Sequence, residues 1–204
     1  MNVKEQLEMA RTMEEELENI EFVGEDLIGA DLSELTLENV RFEKCILTET
    51  SFSRCTMRRV EFVDCEISNG KFSHLWANRC SFADCQMKGI DFSEGSLTNT
   101  LFQTCSLAYA NFTESRLSQC RFMESDLTES FFAKAKLKQM NFRDCRLVLA
   151  EFFKTPLKDI DFTTCIIDGI RGSDGFSELK GLIVNPFQAA DLARLLGVVI
   201  KDDF

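Results

Sequence analysis

Residues 89–113 read GIDFSEGSLTNTLFQTCSLAYANFT, and a large apolar residue stands at every fifth position. These residues are Phe92, Leu97, Phe102, Leu107 and Phe112. An α-helix repeats its buried face every ~3.6 residues and a β-strand every second residue, so neither element produces a period of five. The five-residue unit is therefore itself the structural repeat, and the chain is predicted to form a repeat architecture.

The register of five continues on both sides of this stretch, from Phe22 to Ile167, without an insertion. Phenylalanine and aliphatic centres alternate along most of it, and Ala77 is the one weak member. Such an unbroken repeat predicts one elongated domain with an end segment on either side.

The bulk composition is that of an ordinary globular protein. With 45% hydrophobic residues in 204, the chain can bury a core, which argues against disorder. It contains no apolar run long enough to cross a membrane, and its N-terminus lacks the basic and then apolar order of a signal peptide. We therefore predict a cytoplasmic protein that does not enter the membrane. A net charge of −11 argues against a general nucleic-acid binder.

The cysteines follow the repeat. All nine stand two places before a centre: Cys45, Cys55, Cys65, Cys80, Cys85, Cys105, Cys120, Cys145 and Cys165. The other residues at this position are mostly small or apolar, so cysteine here behaves as a small buried hydrophobe. No CxxC or Cys/His metal spacing occurs, and an odd count fits a reducing compartment. The pattern predicts structural cysteines and no metal site.

Units such as GADLS (29–33), GIDFS (89–93), YANFT (109–113) and ESDLT (124–128) resemble the pentapeptide-repeat family, whose unit is written A(D/N)LXX. The resemblance covers residues 20–169. It implies an all-β fold, a right-handed quadrilateral β-helix in which four consecutive units make one coil. The centre and the small residue two places earlier would face the interior, and the other three positions would face solvent.

A coil of four units places one centre above another. The column from Phe22 to Phe162 is aromatic throughout. We assign its core stack to Phe42, Phe62, Phe82, Phe102, Phe122 and Phe142. The opposite column is almost wholly phenylalanine, and the two columns between them are aliphatic except at Ala77. Facing pairs of columns fill an interior in repeating layers, as a packed core requires.

Both ends of such a solenoid need caps, because an open coil exposes unpaired strand edges. Residues 1–19 are predicted to form a capping helix, since apolar residues recur there at helical spacing: Val3, Leu7, Ala10, Met13 and Leu17. Residues 170–204 are predicted to form the second cap. After a Gly-rich turn, Asn185 is expected to N-cap a helix that starts at Pro186 and ends at Gly197, with short strands at 182–184 and 198–200.

The tail FQAADLARLLGVVI (187–200) looks similar to the C-terminal segment of the Qnr and MfpA gyrase-protecting proteins. Members of that group dimerise through such a helix. The resemblance therefore implies a homodimer, with an interface made by Phe187, Leu192, Leu195, Leu196 and Val198.

The sequence contains no recognisable arrangement of catalytic residues. The single histidine, His74, stands at an outward position without a serine or cysteine elbow or a Gly-rich phosphate loop around it. A general base needs a partner that holds it, and a regular solenoid offers no cleft. We predict a protein that is not an enzyme, with no catalytic residue, cofactor or metal.

The outward charges differ from side to side. Acidic residues outnumber basic ones on the sides centred on Phe22, Leu27 and Leu32, whereas the side centred on Leu37 is basic. The cations of this basic side are Arg58, Arg59, Arg79, Arg116, Lys136, Lys138 and Lys158.

The unit HLWAN (74–78) breaks the pattern, because Leu75 takes the small position and Ala77 the centre. The one tryptophan, Trp76, then points outward on the basic side, and exposed tryptophan with arginine is a common hot-spot composition. In the alternative interpretation, Trp76 lies flat over the thin Ala77 layer or the coil kinks there. The partner-binding candidates are Trp76, Arg58, Arg59 and Arg79 on the basic side, and Glu61, Asp64 and Asp84 on the Phe22 side.

The resemblance to Qnr and MfpA proteins implies binding to bacterial type II topoisomerase, DNA gyrase or topoisomerase IV, and protection from fluoroquinolone-like poisons. Such binding would partly mimic DNA. Because one whole side is cationic, mimicry would be confined to the Phe22 and Leu27 sides. The alternative is a scaffold that binds a different protein through Trp76 and the basic side. A nucleic-acid binder that uses the basic side would show steep salt dependence, and the net charge opposes it.

Overall fold

The computed structural model describes residues 3–201. Within that range, helix α1 spans Val3–Thr12, a 3-10 helix spans Ser177–Leu179 and helix α2 spans Pro186–Leu195. The strands between them are β1 (Glu16–Glu18), β2 (Glu21–Val23), β3 (Thr36–Glu38), β4 (Arg41–Glu43), β5 (Thr56–Arg58), β6 (Glu61–Val63), β7 (Trp76–Asn78), β8 (Ser81–Ala83), β9 (Ser96–Thr98), β10 (Leu101–Gln103), β11 (Arg116–Ser118), β12 (Arg121–Met123), β13 (Lys136–Lys138) and β14 (Asn141–Arg143).

The strands form two parallel sheets, one of odd-numbered and one of even-numbered strands. Every pairing joins equivalent positions of successive coils, so that Phe42 lies opposite Phe62. About six turns of the solenoid separate the first strand of each sheet from the last. On the other two sides of each coil, single bridges such as that between Asp26 and Ile46 continue the ladder. The predicted quadrilateral β-helix is confirmed.

Stacked rings fill the interior. Along the Phe22 column, ring centroids lie 4.6–5.1 Å apart as far as Phe142, with interplanar angles of 21° or less. The second aromatic column, from Phe52 to Phe132, meets the first edge to face, with centroids 5.7–6.5 Å apart. The ring quadrupole favours both geometries. The two columns therefore hold each other in position as well as filling space.

A left-handed residue turns the chain at each corner of the coil. It stands two places after every repeat centre from Asn19 to Asp159, with φ between +50° and +69°. Its amide donates to the carbonyl just before the same corner of the next coil, as Lys44 does to Val63 at 2.9 Å. The left-handed conformation costs an ordinary residue about 1–2 kcal/mol. The same hydrogen bond recurs at corner after corner and offsets that cost.

The cysteines line the wall of the solenoid, as predicted. All nine are buried and free of disulfides. Their thiols satisfy wall carbonyls; Cys55 Sγ, for example, donates to the Leu32 carbonyl oxygen at 3.0 Å. Burial raises the pKa of the Cys80 thiol to about 11, so this thiol is protonated at neutral pH.

The N-terminal helix is shorter than the predicted segment. It ends at Thr12, the Met13 side chain that follows is 62% exposed, and Leu17 lies in β1 rather than in the helix. Leu17 stands one unit before Phe22, so it continues the pentad and pairs in register with Leu37. The helix covers the first coil with Leu7 and Ala10, which are both buried.

Helix α2 begins as predicted. Asn185 is its N-cap, and its side chain accepts from the amides of Phe187 and Gln188 at 3.0 Å. Gly197 follows the last turn at φ +81°, a conformation that favours glycine. The prediction of a short strand on each side of the helix was wrong. Ile183 forms only a single bridge, to Asp161, and residues 198–200 contain no strand.

Side chains of the C-terminal segment replace the missing next coil. Gln188 Nε2 donates to the carbonyls of Phe162 and Cys165 at 2.8 and 2.7 Å. The buried Glu178 carboxylate accepts from the Lys154 amide at 2.8 Å. These three backbone groups at the end of the solenoid thus have partners within the chain, as buried backbone groups require.

The swapped unit at 74–78 keeps the register of the coil. Leu75 and Ala77 are both 1% exposed, and β7 pairs in register with both neighbours, so the coil does not kink here. Gly95 stands one coil beyond Leu75, and a Cβ there would lie 3.1 Å from Leu97 Cδ1. The small Ala77 at the centre thus compensates for the larger Leu75 within the same unit.

We expect the substitution Thr104→Gly to raise the free energy of unfolding by about 0.5–1 kcal/mol. Thr104 is β-branched, exposed and held at φ +53°, so glycine removes a cost of about 1–2 kcal/mol and adds back about 0.4–1 kcal/mol through the unfolded chain. The adjacent Gln103, exposed in β10, is the control, because glycine there should lower stability by about 0.5–1 kcal/mol. Urea unfolding of both variants measures the two effects, and shifts of the same sign would contradict the corner mechanism.

The swap at Leu75 and Ala77 predicts strong coupling between the two positions. Leu75→Ala alone should cost about 2–5 kcal/mol through a cavity, and Ala77→Leu alone about 1–3 kcal/mol through overpacking. The double variant restores the usual order of large and small residues, so it should cost less than the sum by at least about 1 kcal/mol. Chemical denaturation of the four proteins in this cycle gives the coupling energy, and additive losses would show that the two side chains do not share space.

Candidate protein-interaction surfaces

The basic side, here called the cationic face, is formed by outward residues of the odd-numbered strands and the corners that follow them. At one end of it, the Glu38 carboxylate lies 3.5 Å from Arg58 Nη1 and also contacts Arg59. Trp76 is 39% exposed, and the Arg58 guanidinium carbon lies 5.4 Å from the centroid of its ring. This cation–π contact holds the indole on the face. The structure therefore brings Trp76, Arg58 and Arg59 together as one patch.

The other cations of this face lack counter-charges. Arg79, Arg116, Lys136 and Lys138 are exposed and form no ion pair with any residue between 3 and 201. Pairing of β11 with β13 places Arg116 directly beside Lys136. Like charges opposite each other on neighbouring strands repel, so this end of the face favours an anionic partner.

Glu61 differs from the two aspartates predicted with it. Its carboxylate bonds Arg41 Nη1 at 2.7 Å, and Arg41 also contacts Glu43 and Glu21. Hydrogen bonds to Glu43 and Glu61 raise the pKa of the Arg41 guanidinium. Glu61 is thus paired within the chain, unlike the two aspartates, although the single charge of Arg41 is shared among three carboxylates.

An acidic edge runs along the corner between the Phe22 and Leu27 sides. We define it by Asp64, Asp84, Glu66 and Glu124, which are exposed and have no ion-pair partner among the described residues. Sequence reasoning missed Glu66 and Glu124. Glu124 occupies the same corner as Asp84, two coils further on, so the step of four units per coil contained the signal.

The predicted dimer residues divide into two groups. Phe187 is 83% exposed, and Leu195, Leu196 and Val198 are also exposed, so helix α2 and its exit present an apolar patch. Leu192, in contrast, is only 9% exposed and belongs to the protomer's own core. Its assignment to a dimer interface was therefore wrong, because the helix turns this residue inward against the last coil to form the cap.

The single histidine does not form part of a catalytic or metal cluster among the described residues. His74 lies 3.6 Å from Glu94 at an exposed corner. Between residues 3 and 201, no group of three or more His, Cys, Asp or Glu side chains is arranged to hold a metal ion. In the same range, no helix has the length and apolar character needed to span a bilayer.

Comparison with known proteins gave matches in sequence families and in solved structures. The model of the pentapeptide repeat region matches residues 55–132 and 96–171, and that of pentapeptide repeats in eight copies matches 17–48 and 26–62. No curated protein sequence matched the chain.

Among solved structures, a trypsin-treated variant of QnrB1, described as a plasmid-mediated fluoroquinolone resistance protein, is similar at 20% identity with a TM-score of 0.54. The match covers 91% of this chain and 99% of that one. HetL from the cyanobacterium Nostoc, a pentapeptide repeat protein involved in heterocyst differentiation regulation, has 16% identity and a TM-score of 0.43. That match covers 90% of this chain and 97% of HetL. The family models span most of the solenoid, and the chain belongs to the pentapeptide-repeat family.

Proposed function

We propose that this chain is a non-enzymatic binding protein that interacts with bacterial type II topoisomerase and protects it from fluoroquinolone-like poisons. The acidic edge is the observation that carries the proposal, because it presents unpaired carboxylates at a fixed axial step on a closely packed rod. QnrB1, whose fold is shared over nearly all of this chain, is described as a fluoroquinolone resistance protein, and this supports the choice of partner.

The geometry of the acidic edge suits partial mimicry of DNA. Successive coils repeat at about 4.8 Å, whereas phosphates of one DNA strand repeat at about 3.4 Å. A single column such as Asp64 and Asp84 is therefore sparser than a DNA strand, and Glu66 on the adjoining side raises the density. A basic DNA-binding saddle would attract this edge and repel the cationic face, so charge alone would set the orientation of the rod.

We further propose that the protein is a homodimer through helix α2. Phe187, Leu195, Leu196 and Val198 form an exposed apolar patch at the end of the rod, and contiguous patches of this kind commonly mark interfaces. A two-fold contact between identical patches would close the assembly and leave both acidic edges free.

A scaffold that binds another protein is the second candidate. The patch of Trp76, Arg58 and Arg59 favours it, since tryptophan and arginine are enriched among residues that dominate binding energy. Its partner would be acidic, in contrast to the basic partner that the acidic edge requires.

In a DNA gyrase supercoiling assay with a fluoroquinolone present, we expect the purified protein to restore supercoiling at micromolar concentration. The variant Asp64→Lys with Asp84→Lys should lose this effect, because it reverses charge on the acidic edge. The matched control, Glu34→Lys with Glu94→Lys, makes the same change at left-handed corners of the Leu32 side and should keep the effect. Equal loss in both variants would show that the acidic edge acts only through bulk charge.

The double variant Trp76→Ala with Arg79→Ala tests the scaffold. If it no longer binds a partner protein while its effect on gyrase is unchanged, the scaffold function is favoured.

Light scattering is expected to give twice the chain mass of 23.3 kDa at micromolar concentration. Phe187→Glu with Leu196→Glu should give a monomer, because two charges cannot be buried in an apolar interface without a large desolvation cost. Val23→Glu, at an exposed apolar residue of β2 far along the chain, is the control and should leave the dimer intact. A wild-type monomer with α2 intact would rule out this interface.

A further inference from the structure

The hydrogen-bond ladder of the solenoid opens between the coil of residues 136–155 and the last coil, 156–175. Strands β13 and β14 are the final members of their sheets, although the chain continues for another coil. On the other two sides the ladder is intact: Leu147 N donates to Ile166 O at 2.7 Å and Leu149 N to Asp168 O at 2.9 Å. The opening is therefore confined to the two sides that carry strands, and we call it the coil gap.

Backbone groups along β13 lack partners at the coil gap. One coil earlier, Gln119 N donates to Lys138 O at 2.9 Å, but Gln139 N has no acceptor among the described residues. The amide and the carbonyl of Leu137 are likewise unpaired within the described part of the chain. The Leu137 side chain is also partly exposed, whereas Leu117, its counterpart one coil earlier, is buried. The edge of β13 is thus open in both its backbone and its core side chain.

Pro156 removes one bond of the ladder at the coil gap. It occupies the position of Lys136 one coil earlier, where the amide donates to the Ser115 carbonyl at 2.8 Å. Proline has no amide hydrogen, so the equivalent bond to the Ala135 carbonyl cannot form. The amide of Leu157 donates onward to the Glu178 carbonyl at 2.9 Å, just as the amide of Leu147 donates onward to Ile166. On this side the last coil thus keeps its bond to the C-terminal cap, while its bond back to β13 is missing.

The gap reaches the aromatic core on the neighbouring side. The rings of Phe122 and Phe142 stack at 4°, whereas those of Phe142 and Phe162 meet at 79°. A cavity of about 290 Å³ lies here, between Met140–Arg143 on one side and Asp159–Thr164 on the other. Two independent features, the unpaired ladder and the broken ring stack, thus mark the same boundary.

We propose that the edge of β13 is a docking site for an extended acidic segment of a partner protein, which adds to the sheet as a parallel strand. Addition of a strand uses free backbone groups for affinity and side-chain pockets for specificity. The free groups are the amides of Leu137 and Gln139 and the Leu137 carbonyl, and the exposed cations Lys136 and Lys138 flank them. This inference is independent of topoisomerase binding.

The register of the sheet specifies the segment. In every paired coil, a centre lies over the centre before it, and its two neighbours point outward. A segment in the same register would place one apolar residue over Leu137 and an acidic residue beside each of Lys136 and Lys138. The motif recognised is therefore acidic–apolar–acidic. No hydrogen bond joins β13 to the last coil in the described chain, so the added strand replaces none.

Charge and backbone chemistry favour an acidic peptide segment at the edge of β13 over a second copy of the chain or a nucleic acid. A second copy of the chain would bring the same lysines to the same edge, and like charges would repel. A nucleic acid would satisfy Lys136 and Lys138 but has no peptide backbone to pair with the amide of Leu137. The edge of β14 is less suited to an acidic strand, because Arg143 there is paired with Asp144 at 3.3 Å and Asp161 lines the facing wall.

The test uses the full chain and a fluorescent peptide with Glu-Val-Glu between Gly-Ser flanks, followed by fluorescence anisotropy. Lys136→Glu with Lys138→Glu should weaken binding about tenfold or more, because it turns two attractions into repulsions. Arg58→Glu with Arg79→Glu makes the same charge change on the same face, away from the gap, and should leave binding within about twofold. A Lys-Val-Lys peptide should not bind.

Two further measurements separate strand addition from simple charge attraction. Hydrogen exchange of the Leu137 and Gln139 amides should slow when the Glu-Val-Glu peptide binds. Pro156→Thr restores the missing amide and keeps all the lysines. It should therefore weaken binding of the Glu-Val-Glu peptide and raise the midpoint of thermal unfolding of the protein. Absence of binding, equal effects of the two charge reversals, or binding without protection of these amides would overturn the proposal. So would tighter binding of duplex DNA at the same lysines, or self-association that Lys136→Glu abolishes.

Discussion

The chain turns through a left-handed residue after nearly every repeat centre, and the amide of that residue pairs with the next coil. The conformation is unfavourable for most of the side chains that occupy it, among them Arg54, Glu124 and Lys154. It persists because most corners are hydrogen-bonded to the equivalent corner of the next coil, and the Lys154 amide has the Glu178 carboxylate as its acceptor. A coil of a different length would displace every later corner, so the pairing fixes the number of units in a coil. The two aromatic columns and the thiol-lined wall all follow from that constant coil length.

The constant coil length also determines which residues become neighbours on the surface. Residues at equivalent positions of successive coils become neighbours about 4.8 Å apart, so a modest local bias in charge becomes a continuous strip. The acidic edge and the cationic face arise in this way from residues that are far apart in the chain. Where the strip mixes signs, opposite charges pair within the protomer, as Arg41 does with Glu43 and Glu61. Charges without an ion-pair partner among the described residues, such as Asp64 and Lys136, remain available to a partner.

The period of five predicted a repeat architecture and the buried cysteines, whereas the coil of four units, and with it the side to which each residue points, was implied by the resemblance to the pentapeptide-repeat family. The period of five was insufficient where two periodicities compete. Leu17 fits both the helical spacing of the N-terminus and the pentad that continues to Phe22, and its pairing with Leu37 decided the outcome. Leu192 shows the same limit, because an amphipathic helix that caps its own chain and one that forms a dimer have similar patterns. Which apolar residues face inward depends on how α2 lies on the last coil, and local sequence does not specify that.

The coil gap illustrates a different limit, since it is a property of the ladder and not of any single residue. Pro156 removes only one donor, and a proline within a long solenoid would be held in place by the coils on both sides. Here only one coil follows β13, and beyond it the Leu157 amide is bonded to the C-terminal segment through the Glu178 carbonyl. The missing donor and the short stack that follows together allow the last coil to separate from β13 on the strand-bearing sides. The gap therefore lies near an end of the rod because the restraint from further stacking is weakest there.

The coil gap also differs in kind from the acidic edge, because the gap offers backbone groups while the edge offers only side-chain charge. Since the two surfaces lie on different sides of the rod, one partner at each would not exclude the other.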